Sequence, residues 1–286
     1  MLSLKGGEMS EYVTLKMIDE AVTAINSFTK KKPKIGLILG SGLGDLANSV
    51  SPADYIHYSK IPNWPQTTIQ GHKGRLVIGD LENQPVMIMQ GRAHYYEGYP
   101  MVKVGFPVRV MIRLGVEVLI VTNAAGAVNP DYEPGEVMLI NDHISLIAMA
   151  GLNPLRGPNI DEFGERFPDM SQPYDHKLIE VAKEAAKENG ITPQEGVYIC
   201  LAGPSFESPA DLRFMHGIGV DAVGMSTVPE VITARHANLR VLGLSGISNK
   251  ANLDGSTVTT HEEVLEAGKI LVPKMEAIIR GVIKRL

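Results

Sequence analysis

Glu207 and Asn249 are the side chains best suited to gripping a flat heterocycle. They stand in the runs Gly203-Pro204-Ser205-Phe206-Glu207 and Ser248-Asn249-Lys250. A carboxylate beside an aromatic ring can accept a hydrogen from a stacked base, and an amide offers a donor and an acceptor together. Arg92 and His94, in Gln90-Gly91-Arg92-Ala93-His94-Tyr95-Tyr96, suit an anion instead. Arginine presents a fixed fork to phosphate oxygens, and extended backbone would turn both residues to one side. His72, in Gly71-His72-Lys73-Gly74-Arg75, is a further candidate on a flexible loop. The run Leu39-Gly40-Ser41-Gly42-Leu43-Gly44 could bring backbone N–H groups and the Ser41 hydroxyl against an oxyanion.

Each feature has a plainer alternative. Glu207 could simply begin a helix and Asn249 sit in a turn. The glycine run could be a tight strand-to-helix connection, and Arg92 and His94 could be solvated. Met225, in Val223-Gly224-Met225-Ser226, could face a sugar or pack in the core. His261, in His261-Glu262-Glu263-Val264, could be an exposed first-turn residue. The glycine run is not a dinucleotide fingerprint, because Asp45 stands where the third glycine belongs, and no Gly-Lys-Ser/Thr makes it a P-loop. This spacing disfavours a nucleotide-dependent oxidoreductase. A nucleoside-binding protein without catalysis, or a hydrolase, uses overlapping residue types. If Glu207 does meet a purine, it accepts from N1–H of hypoxanthine or guanine. It opposes the N1 lone pair of adenine, which is how a polar site gains strong discrimination.

The elements that must position these groups alternate along the chain. Leu15, Ile18, Val22, Ile25 and Phe28 recur at helical spacing. Strands are predicted over Ile35–Leu39, Arg75–Leu81, Pro85–Gln90, Val116–Val121, Val137–Ile140, Val197–Ala202 and Val241–Leu244, with a tight turn at Glu82-Asn83. Helices are predicted over Met101–Leu114, with Pro107 a kink or a start, over Lys177–Asn189, Val228–Ala237 and His261–Arg285. Ser208-Pro209-Ala210-Asp211 has the form of a helix start. Ala150 to Pro173, rich in Pro, Gly, Asp and Arg, reads as a long surface loop. This alternation predicts an α/β fold: a single domain, residues 1–286, with a mixed, partly parallel central sheet flanked by helices.

The 286 residues are 44% hydrophobic, enough for a substantial core. A net charge of −5, with no basic block, argues against nucleic acid as a partner. No apolar run is long enough to span a bilayer, and Met1 to Tyr12 lacks the pattern of an export signal. The lone Cys200 excludes an internal disulfide framework and fits a reducing cytoplasm. The histidines show no metal-ligand spacing.

Taken together, GSGLG, GHKGRLVIG, QGRAHYYEGY, TNAAGAVNP, GPSFE, VGMSTVPE, SNK and HEEVLEAGK resemble the trimeric, low-molecular-mass purine nucleoside phosphorylases, from about Ile35 to the end. The resemblance implies the nucleoside phosphorylase/hydrolase-like fold and a homotrimer. It implies phosphate-dependent cleavage of inosine, guanosine and their 2′-deoxy analogues to the base and (deoxy)ribose 1-phosphate, with inversion at C1′. Phosphate is then a co-substrate, with no cofactor or metal. It assigns phosphate to Ser41, Arg92, His94, Ala124 and Ser226, with His72 over it, and the purine to Phe206, Glu207, Val223 and Asn249. The ribose falls to Tyr96, Met225 and His261, with Phe167 lent by a neighbouring subunit. Asn249, His261, Glu207 and His94 carry the catalytic roles. The related methylthioadenosine phosphorylases place an acid at the Asn249 equivalent and differ at Glu207, so a 6-oxopurine preference follows. The departures, such as Ser248 and the residues before Glu11, are expected to leave the contacts untouched.

Overall fold

The computed structural model describes residues 12–40, 42–69, 71–251 and 261–286, with 261–265 described by backbone alone. The opening apolar stripe winds into α1 (Leu15–Phe28), which buries Ile18, Ala21 and Ile25. Thr14 caps it by accepting from the Met17 N–H. The strand β1 (Ile35–Leu39) is buried throughout. An edge strand not anticipated from the sequence, β2 (Ala53–His57), pairs antiparallel with β3 (Arg75–Leu81). The latter forms a hairpin with β4 (Gln84–Gln90). Glu82 and Asn83 both take positive φ, 52° and 64°, as a two-residue hairpin turn requires.

The expected helix at residues 101–114 is two: α2 (Met101–Val104) and α3 (Phe106–Arg113), with Pro107 in the first turn of the second. After β5 (Val118–Ala127) and β6 (Val137–Ile144) comes a short α4 (Leu146–Met149). No helix or strand then forms until α5 (His176–Glu188), as the composition of that stretch predicts. The chain continues through β7 (Gln194–Cys200), α6 (Pro209–Gly217), β8 (Ala222–Gly224), α7 (Val228–His236), β9 (Arg240–Lys250) and α8 (His261–Ile283).

Among the described residues, nine strands form one mixed sheet, ordered β2-β3-β4-β1-β5-β8-β7-β6-β9. A further parallel pairing of β5 with β9 closes β5, β8, β7, β6 and β9 into a ring. The predicted α/β class, mixed sheet and flanking helices are therefore present, and the closed ring is an addition. It explains why β5 runs on through Asn123–Ala127 and β9 through Ser245–Lys250, segments of small and polar residues expected to be loops. Their backbone hydrogen bonds are satisfied by one another across the ring, as burial demands. Among the described residues, no helix is long and apolar enough to cross a membrane.

Candidate active site

The C-terminal halves of β5 and β9, the end of β8 and the residues after β4 enclose a cleft of about 440 Å³, within the usual range for small-molecule sites. It is bordered by His72, Arg92, His94, Tyr96, Ala124, Phe206, Glu207, Val223, Met225, Ser226 and Asn249. These residues span more than half of the sequence, and the fold gathers all of them at one place. Three further expected residues stand apart from this list for different reasons. Ser41 lies outside the described residues, as does the side chain of His261. Phe167 is 86% exposed in the long loop, beside a different cleft bordered by Asp142, His143, Arg156 and Arg166.

At one end of the cleft lies Arg92, the residue expected to meet an anion. The β4 strand stops at Gln90, and Gly91 takes a φ of 98°. A Cβ on Gly91 would also stand 2.5 Å from that of His72, so no other residue fits that close approach. The turn sends Arg92 inward, where its guanidinium is almost fully buried. Arg92 Nη1 donates to Glu230 Oε1 at 3.3 Å and to Thr227 Oγ1 at 3.4 Å, and Nη2 donates to the Thr122 carbonyl. Thr227 itself has φ 73° and ψ −55°, unusual for a β-branched residue. Its hydroxyl also accepts from Asn123 Nδ2 at 2.8 Å, which ties it to β5. Thr227 and Ser226 precede the first turn of α7, where the helix dipole and free N–H groups favour negative charge.

Gly40, the first glycine of the run, is held to glycine by this same packing. Thr122 Oγ1 accepts from the Gly40 N–H at 2.9 Å and donates to the Ile38 carbonyl at 3.1 Å, holding β1 against β5. A Cβ on Gly40 would lie 2.8 Å from the Thr122 carbonyl oxygen and 3.1 Å from Arg92 Nη2. A Gly40→Ala enzyme must therefore shift the guanidinium. If Arg92 holds phosphate, as the resemblance implies, kcat/KM for phosphate at saturating nucleoside is expected to fall about 100-fold, the usual order for misplacement near 1 Å.

Two histidines stack along the cleft: the His72 and His94 rings lie 5.7 Å apart, and His94 lies 4.8 Å from Tyr96. Glu97 orients His94, accepting from its backbone N–H at 2.7 Å and lying 3.0 Å from Nδ1. Burial pushes the Glu97 carboxyl up, but hydrogen bonds from His94 and Thr68 outweigh it and hold it down at about 2. His72 is lowered to about 4, by burial first and then by Arg92 and His94. Outside the site, burial lowers His143 to about 4 as well. Both groups bind a proton more readily when the chain is unfolded, near the ordinary 6.5. Their stability contribution is complete above pH 6.5 and drains as pH falls toward 4. Urea unfolding at pH 7 and pH 5 is expected to differ by about 2 kcal/mol per imidazole, and His143→Asn should remove its share.

The cleft also holds Asn249, Val223 and Glu207, the residues expected to meet a base. Thr122, which holds Arg92, and Gly126, which flanks Asn249, are separated along β5 by roughly 13 Å at strand rise. A Cβ at Gly126 would touch Asn249 Nδ2 at 3.4 Å and Val223 Cγ1 at 3.6 Å. The β5–β9 register slips here, so that Ala125 faces Ile247 while Gly126 faces Asn249. The extra residue is Ser248, a β-bulge that re-aims its neighbour. Ser248 Oγ donates to Asn249 Oδ1 at 2.8 Å and borders the cleft. This corrects the expectation that Ser248 leaves the contacts untouched: it orients one of them.

Glu207 is not the carboxylate that starts α6. Ser208 and Asp211 form that capping box, with Asp211 N–H donating to Ser208 Oγ at 3.2 Å and Ser208 N–H donating to Asp211 Oδ2 at 3.0 Å. Glu207 is left to face the cleft, and burial, with Asp211 adding, raises its pKa. Phe206, half exposed beside it, offers a face for stacking. Met225 and Tyr96 meet at Gly203 and both border the cleft, so Met225 is not simply core. Cys200 is buried with its thiol pKa raised, which fits packing.

Known proteins match this chain along most of its length. The family model described as the phosphorylase superfamily matches residues 34–284. A purine nucleoside phosphorylase of Bos taurus is 52% identical over 257 residues, which cover 88% of this chain and 89% of that protein. The purine nucleoside phosphorylase of Schistosoma mansoni, solved with inosine, superposes with a TM-score of 0.92 at 39% identity, covering 96% of this chain and 98% of that one. A structure of the Schistosoma mansoni enzyme with adenosine gives 0.91 at 39%, covering 96% and 99%. Sequence and backbone agree along almost the full length of both chains, and the chain belongs to the purine nucleoside phosphorylases, pentosyltransferases of the phosphorylase superfamily.

Proposed function

We propose that this enzyme cleaves 6-oxopurine nucleosides, inosine and guanosine and their 2′-deoxy analogues, with phosphate as the attacking co-substrate. One observation carries the reading: a single cleft joins a buried arginine at a helix N-terminus to a carboxylate–amide pair at its far end. Phosphate would rest between Arg92, His94, Ser226 and the Ala124 backbone, with Ser41 and His72 completing its shell. The base would stack on Phe206 against Val223, and Glu207 would accept from N1–H. Ribose would lie over Met225 and Tyr96, with His261 at its 5′-oxygen.

In this geometry the C1′–N9 bond lengthens first, and charge separates toward an anionic purine and a cationic sugar. Asn249 stabilises the purine as N7 takes up a proton. Phosphate attacks C1′ from the face opposite the base, which inverts that carbon and leaves ribose 1-phosphate. With His94 Nδ1 engaged by Glu97, Nε2 is the ring nitrogen left to share a proton with phosphate. No protein nucleophile, metal or cofactor takes part in this scheme. Catalysis is positioning and electrostatic stabilisation.

Phe167 is exposed and remote from the cleft of its own chain, which suits insertion into a neighbour's ribose site within a homotrimer. The lone buried Cys200 suits a reducing cytoplasmic setting. The test of the central reading is turnover of inosine with and without phosphate, with adenosine in parallel. Hypoxanthine should appear only with phosphate, and kcat/KM should favour inosine over adenosine by at least about 100-fold. Equal release without phosphate would mean hydrolysis, and equal use of adenosine would remove Glu207 from base selection.

A further inference from the structure

Arg92 and Glu230 form an ion pair between side chains that are each only 3% exposed. Glu230 lies in the first turn of α7, directly behind Ser226 and Thr227. A small void of about 10 Å³ is bordered by Glu230, Ser226 and His94, which puts the carboxylate immediately behind the anion end of the cleft. Glu230 Oε2 and Arg92 Nε are both buried and make no hydrogen bond among the described residues. The pair thus holds one edge of the guanidinium and leaves Nε uncommitted.

We propose that Glu230 is a resident counter-ion that keeps Arg92 fixed while the cleft is empty, and that its charge opposes and so limits phosphate binding. The inference rests on the reading that phosphate binds at Arg92. A buried cation needs a negative partner, and one must be present before phosphate arrives. The same carboxylate then stands close behind an arriving dianion and repels it through a poorly screened interior. Glu230 is therefore a positioning residue that trades phosphate affinity for a preformed site. It also speeds departure of the anionic product, since ribose 1-phosphate leaves from the same guanidinium.

Glu230→Gln separates charge from shape. Its amide oxygen can still accept from Nη1, while Thr122 and Thr227 continue to hold the guanidinium. Phosphate then becomes the missing counter-ion. Calorimetric titration with inorganic phosphate is expected to show about tenfold tighter binding, equivalent to about 1.4 kcal/mol. Phosphate KM and kcat should fall together, with nucleoside KM little changed. The variant should melt lower than the parent without phosphate and gain more from its addition. A purely structural role would lower both melting points alike.

Glu230→Asp keeps the charge at a greater distance and is expected to give an intermediate affinity. It supplies the comparison if Glu230→Gln does not fold, and folding of Glu230→Gln only in phosphate would show the same coupling. Arg92→Ala, titrated in parallel, tests the underlying reading: unchanged phosphate binding there would remove phosphate from Arg92 altogether. Weaker binding in Arg92→Ala, with unchanged or weaker binding in folded Glu230→Gln, would overturn the counter-ion role alone. If only Glu230→Asp folds, parental or weaker affinity in it would do the same.

Discussion

Glu207→Gln is expected to cost the enzyme roughly 10²- to 10³-fold in kcat/KM for inosine, the loss of a charge-assisted hydrogen bond in a partly desolvated site. The same change should stabilise the empty protein. Burial, and secondarily Asp211, raises the Glu207 pKa in the fold. A carboxyl with a raised folded pKa contributes stability only while it holds its proton. That contribution is lost as pH rises through the folded value, so the ionised form is a burden on the fold. Glutamine is neutral at every pH and removes the burden. Its amide can also donate to the N1 lone pair of adenine, which the carboxylate repels. The inosine-to-adenosine ratio of kcat/KM should therefore move toward adenosine by 100-fold or more. Steady-state kinetics with both nucleosides, together with thermal melts of the ligand-free proteins, check all three parts. A less stable variant with an unchanged ratio would show Glu207 to be structural.

Asn249→Ala should lose about 2.7–4 kcal/mol of transition-state stabilisation, about 10²- to 10³-fold, if the amide acts as a donor toward developing charge. The loss should fall on kcat, because the interaction strengthens only as the C1′–N9 bond breaks. An N7-methylated nucleoside provides the control. Its base is already cationic and leaves without a proton at N7, so the variant should cleave it nearly as well as the parent enzyme does. An equal loss on both substrates would mean that Asn249 only shapes the pocket. Ser248→Ala should show a smaller form of the same pattern, since it frees the amide that the bulge and the Ser248 hydroxyl hold.

Local signals were legible wherever a segment carried its own reason to form. The 3.6-residue stripe of α1, the apolar β1, the hairpin turn at Glu82-Asn83 and the Ser208 cap of α6 need little from the rest of the chain. The continuation of β5 through Asn-Ala-Ala-Gly-Ala and of β9 through Ser-Gly-Ile-Ser-Asn-Lys was not legible. Those residues have weak strand preference, and only ring closure makes them strands. The three-residue β8 and the edge strand β2 likewise depend on long-range partners. At the site, chemistry-bearing side chains could be named from their types and motifs, including Arg92, His94, Glu207 and Asn249. The residues that hold them could not. Glu230 meets Arg92 across 138 positions, and Thr227 meets Asn123 across 104. Glu97 and Ser248 sit close in sequence to the groups they orient. An orienting hydrogen bond leaves no periodicity, however, and the Ser248 bulge exists only in the pairing of two strands.

A crystal structure of the enzyme with phosphate and a non-cleavable inosine analogue tests the account most directly. The account predicts the anion against the Arg92 guanidinium, with the base at the other end, N1 within hydrogen-bond reach of Glu207 and N7 within reach of the Asn249 amide. A base bound with Glu207 and Asn249 turned away from it, or an anion bound remote from Arg92, would contradict it.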